Sequence, residues 1–557
     1  MPEVIVGRDE EDTKKYGTDG TLLIGKHLVG TGEDTHLTTP VLLDVVRPHI
    51  ITITGKRGEG KCVDADTLVL LEDGKYLPIK DIENTEKRIM ALDSDGRIVP
   101  TPKTNFYRRT VNKILEIELS TGRKIKLTPE HTLLTQYGWK PAEDLPEGSK
   151  IVVANKNISE NSNTLLLQHS IFLDTIISVK NLEGEFEVYD ISVPEYHNFV
   201  ANDIIVHNSY TMGVIIEEML KLPASIKRNL CGLIVDTQGI YWTMKSPAEK
   251  DVTLLKDWGM QPLGFNVEVY VPEGQEKIFT SAAVDFDDTF GFAPSDLTAE
   301  DWVSVFGLNA NEPLGILLQK SVGSLTGNYS IDDIIGAIES NEGFDTEKLS
   351  LVNRFDAAKG WGIFGSSKMP PLLVPGKISV LDISLTPQNV RALLVALACK
   401  KIFVDRVEAR RKEELADIEL SPIKRVPMPW IFIDEAHNYL PADEVTPATD
   451  ILNRIVKEGR QPGITLVFAT QRPEKLHPDA LAQTDMILSH RLTGKSDVEA
   501  LKAIMQTYLL YDIGKYIAEL PKLKGVAIIL DDNSERMYKV RIRPRQSWHA
   551  GSSPTAI

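Results

Sequence analysis

Residues 49–61 read HIITITGKRGEGK and decide the fold of most of the chain. The stretch begins as an apolar, β-branched strand and continues into a loop with three glycines that ends at Lys61. Glycines permit the positive φ angles with which a backbone wraps an anion, so the loop matches the start of the phosphate-binding pattern G-x-x-x-x-G-K-[ST]. The pattern is incomplete, because Cys62 stands where Ser or Thr is required.

The missing end of the pattern appears after residue 208. Residues 209–220 read SYTMGVIIEEML, which begins with the required Ser and continues with the apolar spacing of an amphipathic helix. Joining Lys61 to Ser209 restores the order strand, loop, helix, whereas the alternative is a glycine-rich turn between two unrelated domains. The restored loop predicts that ATP phosphates bind Gly55, Lys56, Arg57, Gly58, Glu59, Gly60, Lys61 and Ser209.

Composition excludes several classes of protein. The 557 residues are 42% hydrophobic and 25% charged, which is typical of globular domains, and the length predicts more than one domain. The net charge of −17 argues against a generally basic nucleic-acid coat but permits a locally basic channel. No apolar run of about 18 residues occurs, and the N-terminus lacks the apolar core of a signal peptide. We therefore expect a cytoplasmic protein without membrane association.

Three cysteines are too few and too scattered for a disulfide framework or a zinc site. Cys231 and Cys399 lie in apolar runs, which predicts that both are core residues. Cys62 differs, because it is the first residue of the block that interrupts the phosphate-binding pattern.

The interrupting block, residues 62–208, has the pattern of an all-β domain. Short apolar strands alternate with turn signals throughout it, in TLVLLEDG, RIMALDSDG, ILEIELSTGRKIKLT, EVYDISV and HNFVAND. The block also contains TPEH at 128–131, VYD at 188–190 and HNFV at 197–200, and it ends with VHN before Ser209. In this order, the segments resemble the Hint fold of inteins and of hedgehog-type autoprocessing domains, and the resemblance covers the whole block.

The resemblance implies a self-splicing reaction that begins at Cys62. Its thiol attacks the carbonyl of Lys61, since sulfur is a strong nucleophile even when only partly ionised. By the same resemblance, His131 protonates the departing amide nitrogen, Thr128 helps to hold the bond, and Asp190 tunes Cys62 and relays protons.

The resemblance also implies how the reaction ends. Ser209 attacks the thioester, and Asn208 cyclises through its side-chain amide and cuts the chain after itself. His207 and His197 assist that cleavage. The ester at Ser209 then rearranges to a peptide bond with Lys61.

The block is too short between His131 and Asp190 for the homing endonuclease of large inteins, so we expect a mini-intein without DNA-cutting activity. The polar stretch NKNISENSN at 155–163 matches the loop where that domain is inserted. Splicing that depends on conditions remains an alternative, because oxidation can block Cys62.

The remaining sequence predicts an α/β fold of the RecA-like P-loop class, with a mainly parallel sheet and flanking helices. The candidate strands are ITIT, GLIVD, ISVLDIS, WIFIDE, ITLVFATQ, MILSHRL and GVAIIL. The predicted domains are an N-terminal host segment (1–61), the intein (62–208), two host core segments (209–245 and 377–557) and an inserted helical region (246–376).

WIFIDE at 430–435 is a buried strand that ends in two acids, which fits a Walker B motif. Asp434 is then the second Mg²⁺ ligand beside Ser209, and Glu435 activates the attacking water. Gln471, at the end of the next apolar strand, senses the γ-phosphate or positions water. The alternative is a solvated acidic pair. We treat the likeness of DEAH to the helicase signature as incidental.

Host features resemble HerA-type ATPases, relatives of the FtsK DNA pumps. They include DEAHNYLP, the terminal RPRQSWHAG, and Asp236 at the end of a strand. The resemblance implies a homo-hexameric ring in which Arg460 acts in trans as an arginine finger, DNA as substrate and a nuclease as partner. The alternative for Arg460 is a surface arginine in a turn.

Two departures from that family bear on DNA translocation more than on ATP binding. Only about fifty residues precede the phosphate loop, and DTQG-x-Y replaces the usual D-x-H-G-E-Y. A nucleotide-gated regulatory ATPase without a DNA substrate is therefore the second hypothesis.

Overall fold

We describe a computed structural model of the 557-residue chain. The described residues are 3–30, 35–55, 63–73, 75–85, 87–92, 98–101, 106–121, 123–127, 132–135, 138–142, 145, 147–154, 171–191, 211–281, 284–365, 368–490, 499, 501, 516, 520 and 525–549. In these ranges, no helix combines the length and the apolar character needed to cross a bilayer.

The chain divides into two compact units. One consists of Met1–Lys56 with Tyr210–His549 and is called the host unit below. The other consists of Arg57–Ser209 with Ala550–Ile557 and is called the inserted unit.

The host unit begins with strands around one short helix. Asp9 caps that helix by accepting a hydrogen bond from the Asp12 amide, which satisfies one of the free N–H groups of the first turn. The elements are β1 (Val4–Val6), α1 (Glu10–Tyr16), β2 (Thr21–Val29), β3 (His36–Asp44) and β4 (Ile50–Thr54).

The inserted unit is built from short strands and two long ones. They are β5 (Val63–Asp64), β6 (Leu68–Leu70), β7 (Tyr76–Pro78), β8 (Ile89–Leu92), β9 (Ile98–Thr101), β10 (Phe106–Leu119), β11 (Lys124–Leu127), β12 (Thr132–Thr135), β13 (Gly138–Pro141), β14 (Lys150–Ala154) and β15 (Ile171–Ile191), with a 3-10 helix at Ile79–Asn84. Strands predicted from TLVLLEDG, RIMALDSDG, ILEIELSTGRKIKLT and EVYDISV are present here, whereas HNFVAND lies outside the described residues.

Seven of these strands form one sheet in the order β10-β11-β5-β15-β14-β12-β13, and β10 also pairs with β15. All the pairings in this sheet are antiparallel. Alternate residues of β10 and β11, such as Leu115, Ile117 and Ile125, are buried in the core of the unit. The alternation of apolar and polar residues therefore places one face of the sheet inside.

The host unit continues as alternating strands and helices. They are α2 (Met212–Lys221), α3 (Ala224–Lys227), β16 (Leu230–Asp236), α4 (Val252–Asp257), β17 (Glu268–Pro272), α5 (Glu276–Ser281), β18 (Asp288–Phe290), α6 (Ala299–Val305), α7 (Pro313–Gly323), α8 (Ile331–Ser340), α9 (Asp345–Lys359), β19 (Ile378–Asp382), α10 (Gln388–Glu419), β20 (Met428–Ile433), α11 (Thr449–Glu458), β21 (Thr465–Thr470), α12 (Pro478–Ala482), β22 (Met486–His490), β23 (Val526–Asp531) and β24 (Arg536–Ile542). Short 3-10 helices lie at Tyr241–Lys245, Glu249–Asp251, Glu273–Gln275, Pro294–Asp296, Ala436–Asn438 and Pro473–Lys475.

One mixed sheet runs through the host unit in the order β1-β3-β2-β24-β23-β22-β4-β21-β20-β16-β19-β17-β18. The strands from β22 to β18 in this order are parallel to their neighbours. All seven strands predicted for the host from its sequence are in this sheet. Because parallel strands end at a common edge, the ends of β4, β21 and β20 lie side by side.

Both faces of the parallel part of the sheet are covered, which explains its continuous apolar sequences. Along β20, Ile431 and Ile433 pack into one core, and Trp430 and Phe432 pack into the other. Cys231 and Cys399 are buried, which confirms that they are core residues.

One part of the host unit differs from the prediction. The prediction of a helical region at 246–376 omitted β17 and β18, which extend the parallel sheet beyond β19. These two strands have only five and three residues, so their apolar alternation is weak in sequence. Strands β1–β3, which precede the phosphate loop, join the opposite end of the same sheet through β24.

Candidate functional site

Two buried acids follow strand β20 at the edge where the parallel strands end. Asp434 and Glu435 are 8% and 4% exposed. Asp434 Oδ1 accepts a hydrogen bond of 2.9 Å from the backbone N–H of Glu435. Glu435 has φ 49° and ψ 45°, a left-handed conformation that costs a non-glycine residue about 1–3 kcal/mol and is concentrated at functional sites.

Strand β21 brings a third predicted residue to the same place. It lies between β4 and β20, and Gln471 follows its last residue. Gln471 Nε2 donates a hydrogen bond to Glu435 Oε1. The structure thus joins Asp434, Glu435 and Gln471 in one cluster, as expected if the three act together.

His437 and Thr470 complete this cluster and were not identified from the sequence. His437 Nδ1 lies 3.0 Å from Thr470 Oγ1 and 3.6 Å from Glu435 Oε2. Thr470 Oγ1 also accepts a hydrogen bond from the Arg472 backbone N–H at 3.0 Å. In the sequence, His437 belongs to DEAH, whose likeness to the helicase signature we interpret as incidental.

The chemistry of the cluster fits Mg²⁺ bound to a nucleotide. Asp434 offers carboxylate oxygen, the donor that Mg²⁺ prefers. Gly55 follows β4 at the same edge of the sheet. The other predicted phosphate-binding residues, which are Lys56–Lys61 and Ser209, lie outside the described residues.

The helix predicted after the phosphate loop is present as α2, and a buried ion pair holds it. Glu217 accepts hydrogen bonds from Arg543 Nη1 at 2.7 Å, from the Gln546 backbone at 3.0 Å and from the Ser547 hydroxyl at 2.6 Å. Burial opposes the charge, but Arg545 and Arg543 hold the pKa of Glu217 below its ordinary value. The C-terminal segment therefore fixes the helix that follows the loop.

Asp236 ends β16 and is a buried turn residue. It accepts hydrogen bonds from the backbone N–H groups of Gln238, Gly239, Ile240 and Tyr241. Its register partner on β19 is Asp382. Burial and the neighbouring carboxylate raise the pKa of Asp236 to about 8, and burial raises the pKa of Asp382 to about 6.

Arg460 lies away from the cluster within one chain. It precedes β21, at the edge where the parallel strands begin, and forms an ion pair with Asp485. Asp485 also accepts a hydrogen bond from the Ile50 backbone at the start of β4. The Arg460 side chain is 61% exposed.

Most predicted splicing residues, namely Cys62, Thr128, His131, His197, His207, Asn208 and Ser209, lie outside the described residues, and Asp190 is described only by its backbone in β15. The residues next to Cys62, Thr128 and Asp190 in the sequence are described. Val63 is the register partner of both Leu127 and Tyr189. All three side chains are buried, at 0%, 0% and 5% exposure.

Comparisons with known proteins identify the inserted unit. The family model described as "Intein splicing domain" matches residues 68–208. A crystal structure of a DnaB intein from Synechocystis sp. PCC 6803 is 30% identical, and the match covers 27% of this chain and 99% of that one with a TM-score of 0.23. The match to the family model shows that the chain contains an intein splicing domain.

Two curated relatives are similar to part of the chain. One component of the A-type ATP synthase of Thermoplasma acidophilum is 28% identical over 195 residues, which are 30% of this chain and 26% of that protein. The DNA double-strand break repair helicase HerA of Pyrococcus furiosus is 30% identical over 199 residues, which are 32% of this chain and 35% of that protein. The chain thus has homology to both and spans about a quarter to a third of their lengths.

Proposed function

We propose that the chain is a precursor that splices itself. Residues 62–208 are released, Lys61 is joined to Ser209, and the product is a cytoplasmic, HerA-like ATPase that translocates DNA. The splicing part of this proposal rests on the strand pairing of Val63 with both Leu127 and Tyr189.

Cys62 directly precedes Val63 in the sequence, Thr128 directly follows Leu127, and Asp190 directly follows Tyr189. The pairing of Val63 with Leu127 and with Tyr189 therefore joins the three chain segments that carry these predicted residues. This register supports the roles of Thr128 in holding the bond and of Asp190 in relaying protons.

The first half of the reaction moves the acyl group of Lys61 twice. Cys62 sulfur bonds to the Lys61 carbonyl carbon, the C–N bond breaks, and the nitrogen gains a proton with the help of His131. The Ser209 hydroxyl oxygen then bonds to the same carbon, the C–S bond breaks, and the sulfur regains a proton. The product is an ester that branches at Ser209.

The second half releases the inserted segment. The side-chain nitrogen of Asn208 bonds to its own main-chain carbonyl carbon, the C–N bond to Ser209 breaks, and the Ser209 nitrogen gains the proton, with His207 and His197 assisting. That free amine then bonds to the ester carbon, and the hydroxyl oxygen leaves with a proton. The steps need no oxidant or reductant.

For the spliced host, we propose a RecA-like nucleotide site with Ser209 and Asp434 as ligands of Mg²⁺. Mg²⁺, when bound, supplies positive charge against the phosphate oxygens of ATP. Glu435 accepts a proton from the attacking water, and Gln471 orients Glu435 and that water through its amide. The support for this proposal is the hydrogen bond from Gln471 to Glu435 near the end of β4.

The DNA part of the proposal rests on the similarity to HerA, named as a DNA repair helicase. We propose a homo-hexamer in which Arg460 reaches the nucleotide of a neighbouring protomer, with DNA in the ring and a nuclease as partner. Stimulation of ATP hydrolysis by duplex or single-stranded DNA tests this part. Its absence in the spliced protein favours the regulatory ATPase instead.

Intact mass spectrometry of the expressed chain tests the splicing. We expect two species of about 46 and 16 kDa, in proportion to chain length, with Lys61 joined to Ser209. A single species at 62.0 kDa, unchanged by reductant and temperature, contradicts the proposal.

A further inference from the structure

His490 ends strand β22, which lies parallel to β4 with Ser489 opposite Thr54. Its Nδ1 lies 3.0 Å from the carbonyl oxygen of Val526, and this carbonyl can only accept a hydrogen bond. Nδ1 therefore carries the proton of the neutral ring, and Nε2 is left as an acceptor. Burial lowers the pKa of His490, which favours this neutral form.

Thr211 supplies the donor for Nε2. Its hydroxyl oxygen lies 2.6 Å from His490 Nε2, so the hydroxyl donates to the ring. Thr211 stands directly before helix α2, a position where a threonine side chain ordinarily caps the helix. Within the described part of the chain it makes no capping hydrogen bond, and its hydroxyl is committed to His490 instead.

Gly55 also contacts His490, and it belongs to the chain segment that precedes the intein. A Cβ atom added to Gly55 would lie 2.5 Å from His490 Cβ, which is closer than atoms can approach. Only a glycine therefore allows the end of β4 to lie this close to His490.

One residue of the host unit thus touches the two chain segments that splicing must join. Lys61 is the sixth residue after Gly55, so it can lie no farther than about 22 Å from it. Ser209 lies two residues before Thr211 and within about 7 Å of it. Bringing two groups together in advance raises the rate of their reaction, because the entropy lost when they meet has already been lost on folding.

We propose that His490 is a positioning residue for splicing, which it promotes by holding both flanks of the intein within the folded host unit. The inference rests on the proposed self-splicing function and deepens it. Attack of Ser209 on the thioester needs both flanks. Hydrolysis of that thioester needs only the flank that precedes the intein. Cyclisation of Asn208 needs only the flank that follows it. Loss of the contact therefore diverts precursor from ligation to single cleavage.

The test is a time course of intact masses for full-length Thr211→Val and Thr211→Ser. Thr211→Val keeps the shape and removes the hydroxyl, and we expect the ratio of ligated to singly cleaved product to fall roughly fivefold, as for the loss of one hydrogen bond. Thr211→Ser keeps the donor and should retain the ratio. The matched control is Thr13→Val, which removes an exposed hydroxyl that donates to Asp9.

Two further variants separate positioning from stability. In a His490→Phe background, Thr211→Val should change the ratio little, because the acceptor is already absent. Gly55→Ala, which displaces His490 from the other flank, should also favour single cleavage. Thermal denaturation of each variant checks that the host unit is folded.

Unchanged ratios in Thr211→Val and Gly55→Ala, with a wild-type chain that splices, overturn the inference and leave the proposed function intact. An equal slowing of all products, shared by Thr211→Ser, also overturns it, since that pattern shows a structural role. A wild-type chain that yields no ligated product refutes the proposed function itself.

Discussion

The side-chain amide of Gln471 donates a hydrogen bond to the carboxylate of Glu435, and this bond links the ends of two neighbouring strands. A carboxylate held in this way has a fixed orientation, which a general base requires. Glu435 also has a left-handed backbone, so its position is determined by its surroundings more than by its own preference.

Glu435→Gln in the spliced host should abolish most ATP hydrolysis while ATP binding remains. An amide cannot accept the proton of water, and loss of a general base typically lowers kcat by about 10²–10⁴-fold. Steady-state hydrolysis and nucleotide binding, measured separately, check this expectation. Glu458→Gln is the control, because Glu458 is exposed and pairs with Arg454 four residues earlier. Near-normal kcat in Glu435→Gln would assign the base elsewhere.

The unspliced precursor should not hydrolyse ATP. Lys61 and Ser209 must be adjacent to bind phosphate and Mg²⁺ together, and the intein separates them in sequence. A precursor locked by Cys62→Ala and Asn208→Ala provides the measurement, with the spliced protein as reference. Appreciable turnover by the locked precursor would show that the loop works without ligation.

Glu217→Ala should destabilise the host unit by about 3–5 kcal/mol, because it removes one of the two carboxylates that pair with the buried Arg543 and also the carboxylate beside the buried Arg545. Denaturant unfolding of the spliced host measures the change. Glu408→Ala removes the acid of an exposed pair with Lys412 and should cost much less stability, because solvent screens this pair. Equal effects of the two substitutions would contradict the structural role of the C-terminal segment.

The host unit should lose stability as pH rises from the acid range towards about 8. The folded-state pKa values of Asp236 and Asp382, about 8 and about 6, lie above the ordinary 3.8. The folded state therefore binds more protons than the unfolded state in this pH window. The stability that these two groups contribute is fully present below their ordinary pKa and declines as pH rises.

Asp382→Asn should flatten that decline, since the amide needs no proton to lie beside Asp236. Thermal unfolding of the spliced host at several pH values measures the slope. Asp332→Asn, at a side chain 80% exposed, is the control and should leave the slope unchanged. A slope in Asp382→Asn equal to that of the unsubstituted host would show that Asp382 does not contribute to the decline.

Sequence patterns were enough to locate the strands of the host core, the helix after Ser209 and the two acids that follow β20. Apolar runs such as those of β20 and β21 are buried on both faces of a parallel sheet, so their composition alone identifies them. The intein was found from the sequence for a different reason. Its first and last residues interrupt one short pattern, and the joined ends restore it.

Which distant residues meet was settled by the folded chain and not by any pattern along it. The contacts of Glu217 with Arg543, His437 with Thr470, and His490 with both Gly55 and Thr211 join positions far apart in the sequence. A lone buried histidine or glutamate has no periodic signal, because its role depends on a partner that the fold supplies. Strands β17 and β18 were missed for a related reason, since the pairing of β17 with β19 and of β18 with β17, more than their own short sequences, makes them strands.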